Sequence, residues 1–341
     1  IIEHVKANRD VIFQADLETA LRYSLSHELV KYNLYNAEQL EALKRYVSVL
    51  EKYSPLGDNG KNFLTELNSF IGMAAANLRG KQLLSKIREL ENKYEPIYSS
   101  SRYIGCRPSV AGRRGYSCGL WQLFHYLTIQ ATNSMRTNDP LEVLNAIHGY
   151  VKNFFGCTHC SEHFQQMAKR NAIFDVKTKD EAALWLWNAH NEVNERLAGD
   201  NTEDPAFPKI QYPSKEICPQ CYQPTIQNEQ HETTSRLHST KIQWNTEEVL
   251  YFLRRIYSPF TLSRYGVDDE SVLPQQLGRS YNAKLQTGSG SGYASAFSEM
   301  DIRMGVLLYV FCMLIIIVAV KLFLQRGYRK KIYTHDFLGK L

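Results

Sequence analysis

Cys157-Thr-His-Cys160 is the part of this sequence whose residue types and spacing most plainly point to chemistry. The pair follows Phe154-Phe155-Gly156, an aromatic helix end that gives way to a new helix. A cysteine at a helix start has its thiolate favoured by the unpaired amide groups and the dipole there, so its pKa falls. Such a pair exchanges disulfides quickly. The competing reading is half of a zinc site, with His159, His163 and the later pair Cys218-Pro-Gln-Cys221 as remaining ligands. However, 57 residues lie between Cys160 and Cys218, far more than the gap of about 15–20 used by zinc ribbons. Redox chemistry is therefore the preferred reading, and no metal is expected.

A second cluster is Trp187-Asn188-Ala189-His190-Asn191-Glu192-Val193-Asn194. On a helix, Trp187, His190, Asn191 and Asn194 fall at i, i+3, i+4 and i+7, so an aromatic plane, an imidazole and two amides share one face. Such a face is costly to bury without a partner that satisfies it, and taken alone it is more often a solvated surface. A second helix repeats the spacing with Trp121, Phe124, His125 and Thr128. Two facing sets of this kind suit a shared ligand with flat rings and polar edges, such as the isoalloxazine and adenine of a flavin.

The elements that must carry these residues read as helices. One spans about 118–132. A second opens at Asp139 as N-cap with Pro140 in its first position, a third starts near Cys157, and the longest opens at Thr178, whose partner Glu181 completes a capping box. Four helices with short connections predict an antiparallel bundle with cofactor sites between facing helices. Upstream, Asp16 to about Tyr94 holds apolar residues at helical spacing, including Leu40, Leu43, Val47 and Leu50 after an Asn36/Gln39 capping box, and no cysteine at all. Downstream, Asn245 and Glu248 start an amphipathic helix with Val249, Phe252, Leu253 and Ile256 on one face. Residues 258–298, rich in Gly and Ser near 287–292, read as a flexible tether.

The 341 residues suggest two modest folded units, and a composition of 44% hydrophobic and 22% charged residues is that of a globular protein. The net charge of +5 is spread along the chain and gives little support to nucleic-acid binding. Met304 to Val320 is uncharged and almost wholly apolar. With Lys321 snorkelling it is long enough to cross a bilayer. The basic tail carries Arg326, Arg329, Lys330 and Lys331, which by the positive-inside rule would lie in the cytosol, leaving everything before Met304 lumenal or extracellular. Six of the seven cysteines fall as pairs, and on the oxidising side of a membrane pairs mean disulfides more readily than metal sites. With Ile1 at its start and no signal peptide visible, the chain reads as a processed or truncated piece.

Taken together, C-x11-C-x2-W-x3-H from Cys106, F-F-G-C-x2-C-x2-H-F from Phe154, W-x2-H-N-x2-N-x-R-L from Trp187, D-P-x-F-P-K from Asp204 and C-x2-C from Cys218 resemble the catalytic domain of the quiescin sulfhydryl oxidases, within the wider Erv/ALR flavoprotein group. The likeness is dense over 104–222, and 16–94 resembles the degenerate, flavin-free helical copy that precedes that domain. The resemblance implies an all-α protein: a helical module over 1–100, an Erv/ALR-like FAD-binding bundle over 101–225, a short helix and tether over 226–303, a transmembrane helix over 304–324 and a cytosolic tail over 325–341. It implies Cys160 as the flavin-proximal thiol and Cys157 as the interchange thiol. FAD contacts would come from Arg114, Trp121, His125, His159, His163, the run Trp187 to Asn194, Lys209 and Tyr212, a position where family members often carry Trp. It implies a structural Cys106–Cys118 disulfide, worth about 3 kcal/mol for so short a loop in the chain-entropy model, and an accessory Cys218–Cys221 pair.

The activity implied is oxidation of reduced protein thiols to disulfides, with electrons passed through FAD to O2 to give H2O2. The setting is a single-pass membrane protein of the secretory route (Golgi, ER or cell surface). Quiescins begin with a thioredoxin-like region bearing its own redox pair, whereas no cysteine precedes Cys106 here. The sequence thus resembles the oxidase half, with a thioredoxin-like domain expected upstream. The alternatives are a flavin-free thiol–disulfide oxidoreductase and a zinc-stabilised membrane adaptor.

Overall fold

A computed structural model describes residues 1–74, 77–223 and 242–274, together with the isolated positions 313 and 321. The described residues are helical, with no strand among them and three isolated β-bridges. Ten α-helices are defined among the described residues: α1 (Ile2–Ala7), α2 (Gln14–Tyr23), α3 (Ala37–Tyr53), α4 (Asp58–Met73), α5 (Gly80–Tyr94), α6 (Gly115–Thr132), α7 (Glu142–Asn153), α8 (Thr158–Arg170), α9 (Lys179–Leu197) and α10 (Thr246–Ile256). A π-helical turn, Ser24–Glu28, continues α2.

Capping chemistry sets most of the starts. Asn36 accepts from the Gln39 amide at 2.8 Å and Gln39 Oε1 accepts from the Asn36 amide at 3.0 Å, closing the box that opens α3. Thr178 caps α9 by accepting from the Glu181 amide, but the Glu181 carboxylate accepts from the Lys177 amide instead of returning to Thr178. The helix expected to open at Asp139 begins at Glu142: Asp139 Oδ1 accepts from the Leu141 amide at 2.9 Å and closes a turn over Pro140 before the helix proper. Helix α6 starts at Gly115, three residues before the expected Cys118.

The apolar faces merge into one core that crosses the boundary between residues 100 and 101. Leu43, Tyr46, Val47 and Leu50 of α3 lie in the same buried cluster as Leu144, Ile147, Tyr150 and Val151 of α7, and α3 packs on α7 while α2 packs on α6. Tyr46 and Tyr150 meet with ring centroids 4.3 Å apart. Helix α10 buries Val249, Phe252, Leu253 and Ile256 as its spacing predicts.

Residues 258–274, expected to begin the tether, are instead a packed strap. The Ser263 carbonyl accepts from Gln14, the Ser263 amide donates to Ile12, and the Asp268 amide donates to the Ser99 carbonyl. Val272 and Leu273 are buried, with the Val272 carbonyl lying against Gly57. Their apolar side chains supplied no periodic signal over so short a stretch, and the packing comes from backbone pairing. The chain divides into the unit Ile1–Gly278 and a second, Arg279–Leu341. The rest of the expected tether, the membrane span over 304–324 and the tail lie outside the described residues, apart from 313 and 321. Among the described residues no helix is long and apolar enough to cross a membrane.

Candidate functional site

Cys157 is the N-cap of α8, and its Sγ accepts from the Cys160 amide at 3.2 Å. The two sulfurs are bonded to each other, with Cα atoms 5.3 Å apart, and both residues are exposed. The sequence places them here because Gly156 ends the preceding aromatic segment while Ser161 anchors the new helix, its Oγ donating to the Val151 carbonyl at 2.8 Å. The first turn of α8 thus presents a solvent-facing disulfide at the positive end of a helix, where a departing thiolate is favoured. His159, within that first turn, and His163, one turn on, bring their Nε2 atoms within 3.0 Å. His163 is held below the usual imidazole range by desolvation, the Arg196 charge and His159.

Phe164 of α8 leads inward to Trp121 of α6, with ring centroids 6.4 Å apart. Trp121 stacks flat on His190 of α9 at 4.3 Å and 5°, and His190 Nδ1 lies 3.1 Å from His125 Nε2. Burial pushes the His125 imidazole down to about 3, and burial, His125 and Lys209 push His190 well down too. Both rings are therefore neutral at ordinary pH, one donating the shared hydrogen bond and the other accepting it. Tyr257, just past α10, stacks behind His125 at 5.4 Å.

Beyond His190 come two cations. Burial depresses Lys209, and the Arg114 charge depresses it further. Arg114 is itself depressed by burial despite Asp16 and Asp204. It is the N-cap of α6 at φ +47°, a backbone region that side chains rarely occupy. Its guanidinium donates to the Gly105 carbonyl at 2.6 Å and sits 3.9 Å above the Phe207 ring, while its buried Nε has no hydrogen-bond partner.

The amide face of α9 is satisfied by the protein itself. Trp187 Nε1 and Asn191 Nδ2 both donate to the Tyr212 carbonyl, at 2.6 and 2.8 Å. Asn191 Oδ1 accepts from the Tyr212 amide, and Asn194 donates to the Ile210 carbonyl at 3.2 Å. Trp187, Asn191 and Asn194 thus clamp residues 210–212, and only His190 of that face reaches the Trp121–His125 cluster. Tyr212 enters the arrangement through its backbone, with its ring on Phe252. Of the remaining run, Asn188 is exposed, Ala189 is buried, and Glu192 turns away to Arg170 and Asn171. Val193 packs beside the core.

The Cys106 and Cys118 sulfurs are bonded, and so are those of Cys218 and Cys221. Cys218 and Cys221 are both buried. The Cys221 carbonyl accepts from Asn245 at 2.8 Å, Tyr222 bridges to Trp244, and Trp244 meets Trp187 edge-on at 5.1 Å. The disulfide closes a local turn, and it is the backbone pairing beside it and the Trp244–Trp187 contact that bring the start of α10 onto α9. Sequence reasoning missed Tyr257, one tyrosine among 21, which nothing local distinguishes. It also missed Phe207, which stands within D-P-x-F-P-K and could have been assigned.

Family comparisons fit this geometry. A model of the Erv1/Alr family matches residues 118–213, and a model of the FAD-dependent sulfhydryl oxidase matches residues 8–109. A solved structure titled "Sulfhydryl Oxidase Fragment of Human QSOX1" is 36% identical, with TM-score 0.64, and aligns with 75% of this chain and 98% of its own. The chain belongs to the sulfhydryl oxidase family.

Sulfhydryl oxidase 1 of Gallus gallus is 38% identical over 261 residues, covering 75% of this chain and 33% of that protein. Sulfhydryl oxidase 2 of Homo sapiens is 30% identical over 391 residues, covering 96% of this chain and 54% of that protein. The chain thus spans between about a third and about a half of these relatives' length.

The sulfhydryl oxidase domains that match are FAD-dependent, and the residues present fit that cofactor. A half-buried Arg114 and Lys209, the lysine depressed by the Arg114 charge and the Arg114 Nε unpartnered, form an anion seat suited to a pyrophosphate. The flat Trp121–His190 stack beside a neutral His125 suits a planar heterocycle.

Proposed function

We propose that this chain oxidises protein dithiols to disulfides, on the strength of one observation above the rest: a solvent-exposed Cys157–Cys160 disulfide capping α8, one aromatic contact away from the Trp121–His190–His125 cluster. A substrate thiolate attacks Cys157 Sγ, forming a mixed disulfide and releasing Cys160 as thiolate at the helix N-terminus, where the dipole stabilises it. The second substrate thiol then attacks its own sulfur in the mixed disulfide, releasing Cys157. The substrate leaves oxidised, and the pair holds two electrons. Bound FAD supplies the two-electron acceptor that restores the pair and hands the electrons to O2 as H2O2. Arg114 and Lys209 would hold the phosphates, and Trp121, His125 and His190 would orient the rings.

We place the protein in the secretory route, anchored by the apolar 304–324 segment with its basic tail cytosolic and residues before 304 lumenal or extracellular. Three disulfides in one unit support an oxidising compartment. A thioredoxin-like domain supplied ahead of this region would relay electrons from protein substrates to Cys157, which small dithiols reach without it.

The visible spectrum and metal content of the purified protein test the reading. A flavin band with no stoichiometric zinc is expected. A colourless active protein would favour a flavin-free oxidoreductase, and a colourless, zinc-loaded one a structural adaptor.

A further inference from the structure

The segment with no cysteine grips the redox turn from behind. Glu28 closes the π-helical turn Ser24–Glu28, where Leu29 donates to the Ser24 carbonyl at 3.0 Å in an i→i+5 bond. Single π-turns of this kind are frequent at functional sites and shift the helix register by a residue. Three side chains just there reach across to the last residues before Cys157. Glu28 Oε1 accepts from the Gly156 amide at 3.2 Å, Lys31 Nζ donates to the Phe154 carbonyl at 2.6 Å, and Tyr32 Oη donates to the Asn153 carbonyl. Lys31 Nζ also lies 3.7 Å from Glu28 Oε2, and the Glu28 side chain is only 11% exposed. A Cβ at residue 156 would sit 3.0 Å from Glu28 Oε1 and 3.3 Å from Oε2, so a side chain there would push the carboxylate back by a few tenths of an ångström.

We infer that Glu28 and Lys31 are positioning residues for thiol exchange at Cys157: they clamp the backbone of 154–156 so that the first turn of α8 presents Cys157 and Cys160 in a fixed orientation to an incoming thiol. The inference rests on the thiol-oxidase reading above. Their contacts are with the backbone of 154–156, so both act on the sulfurs through the turn. The acceptor role of Glu28 needs an oxygen and not a charge. A carboxamide preserves it, whereas a methyl leaves the part-buried Gly156 amide without its acceptor.

Thiol oxidation by Glu28→Ala, Glu28→Gln, Lys31→Met and Gly156→Ala, each in the cofactor-loaded protein, tests this together with amide hydrogen exchange along the chain. Glu28→Ala is expected to lower kcat with dithiothreitol by about tenfold, with KM changed far less, because what is lost is orientation of the reacting sulfur. Exchange of the amides from 156 to 160 should rise by about tenfold, the loss expected when one hydrogen bond at the turn is removed, while amides of α9 stay protected. Glu28→Gln should restore both kcat and protection to within about twofold. If Glu28→Ala does not fold, Gly156→Ala and Lys31→Met ask the same question from the turn and from the second grip.

Wild-type kcat and protection in Glu28→Ala, or a Glu28→Gln as impaired as Glu28→Ala, would overturn the clamp. Cys157→Ser separates this from the parent reading. If it abolishes oxidation while Glu28→Ala is silent, only the clamp fails. If it is as active as wild type, the thiol-oxidase assignment to this pair fails, and amide exchange at Gly156 still decides the clamp.

Discussion

Helices α2–α5 and α6–α9 share one apolar core but put their buried polar groups to different uses. In the first set, buried carboxylates hold backbone. Asp16 accepts from the amides of Ile104 and Cys106 at 2.6 and 2.9 Å, Glu18 accepts from the Ser99 amide at 2.6 Å, and Glu28 accepts from Gly156. In the second set, neutral imidazoles and indoles face one another, with two cations beyond them. The difference teaches a division of labour. One set fixes the loops that bear Cys106, Arg114 and Cys157, and the other carries the exposed disulfide and the aromatic cluster proposed to meet substrate and cofactor. Gly105 joins the two: its carbonyl accepts from Arg114, and a Cβ there would meet Asp16 Oδ2 at 2.7 Å.

The shared core gives the largest expected effects. Leu43→Ala in α3 and Ile147→Ala in α7 remove fully buried side chains from opposite sides of it, and each should cost about 2–5 kcal/mol. Both should lower the midpoint of a single unfolding transition followed by calorimetry. Two separable transitions would break the comparison by making the sets independent domains. Next is Asp16→Ala, which leaves two buried amides unpaired and should cost about 3 kcal/mol in denaturant unfolding. Its effect on flavin retention tests whether the Gly105–Arg114 link transmits it; retention as firm as wild type would cut that link.

Acid sensitivity should distinguish the two sets by sign. His125 has its folded pKa depressed from 6.5 to about 3, so the folded state binds fewer protons than the unfolded chain, and its contribution is present above pH 6.5 and lost as pH falls toward 3. Asp16 is raised from 3.8 to about 6, so stability instead falls as pH rises through that window. Between pH 6.5 and 5 the stability advantage of wild type over His125→Gln should shrink by about 2 kcal/mol. An advantage unchanged with pH in denaturant titrations would mean that His125 is not buried neutral. Flavin retention is the last comparison: His190→Ala should weaken it strongly, and its control gives the smallest effect. His148→Ala, at a half-buried ring edge-on to Phe174, should leave retention unaltered and stability within about 0.5 kcal/mol. Equal flavin loss from the two would remove His190 from the site.

Much of this was legible in the residues because it is local. The Asn36, Thr178 and Asn245 caps, the Cys157 helix start and the apolar face of α10 are all written within a few positions. The faces of α6 and α9 were legible as faces, but their partners were not. That Trp187, Asn191 and Asn194 spend their hydrogen bonds on residues 210–212 depends on where a loop returns, which no helical periodicity encodes. The same holds for Glu28 and Gly156, 128 positions apart, and for the 258–274 strap. Asp139-Pro140 misled for a different reason: the same cap chemistry can close a turn before a helix as well as the helix itself.

The most direct test of the central claim is oxygen consumption on dithiothreitol by Cys160→Ser. The variant removes one sulfur from the exposed pair and leaves Trp121, His125, His190, Arg114 and Lys209 in place. It should remain yellow and lose thiol oxidation, since the substrate's electrons could no longer pass beyond Cys157. Oxygen uptake at the wild-type rate by this variant would contradict the assignment of the chemistry to Cys157 and Cys160.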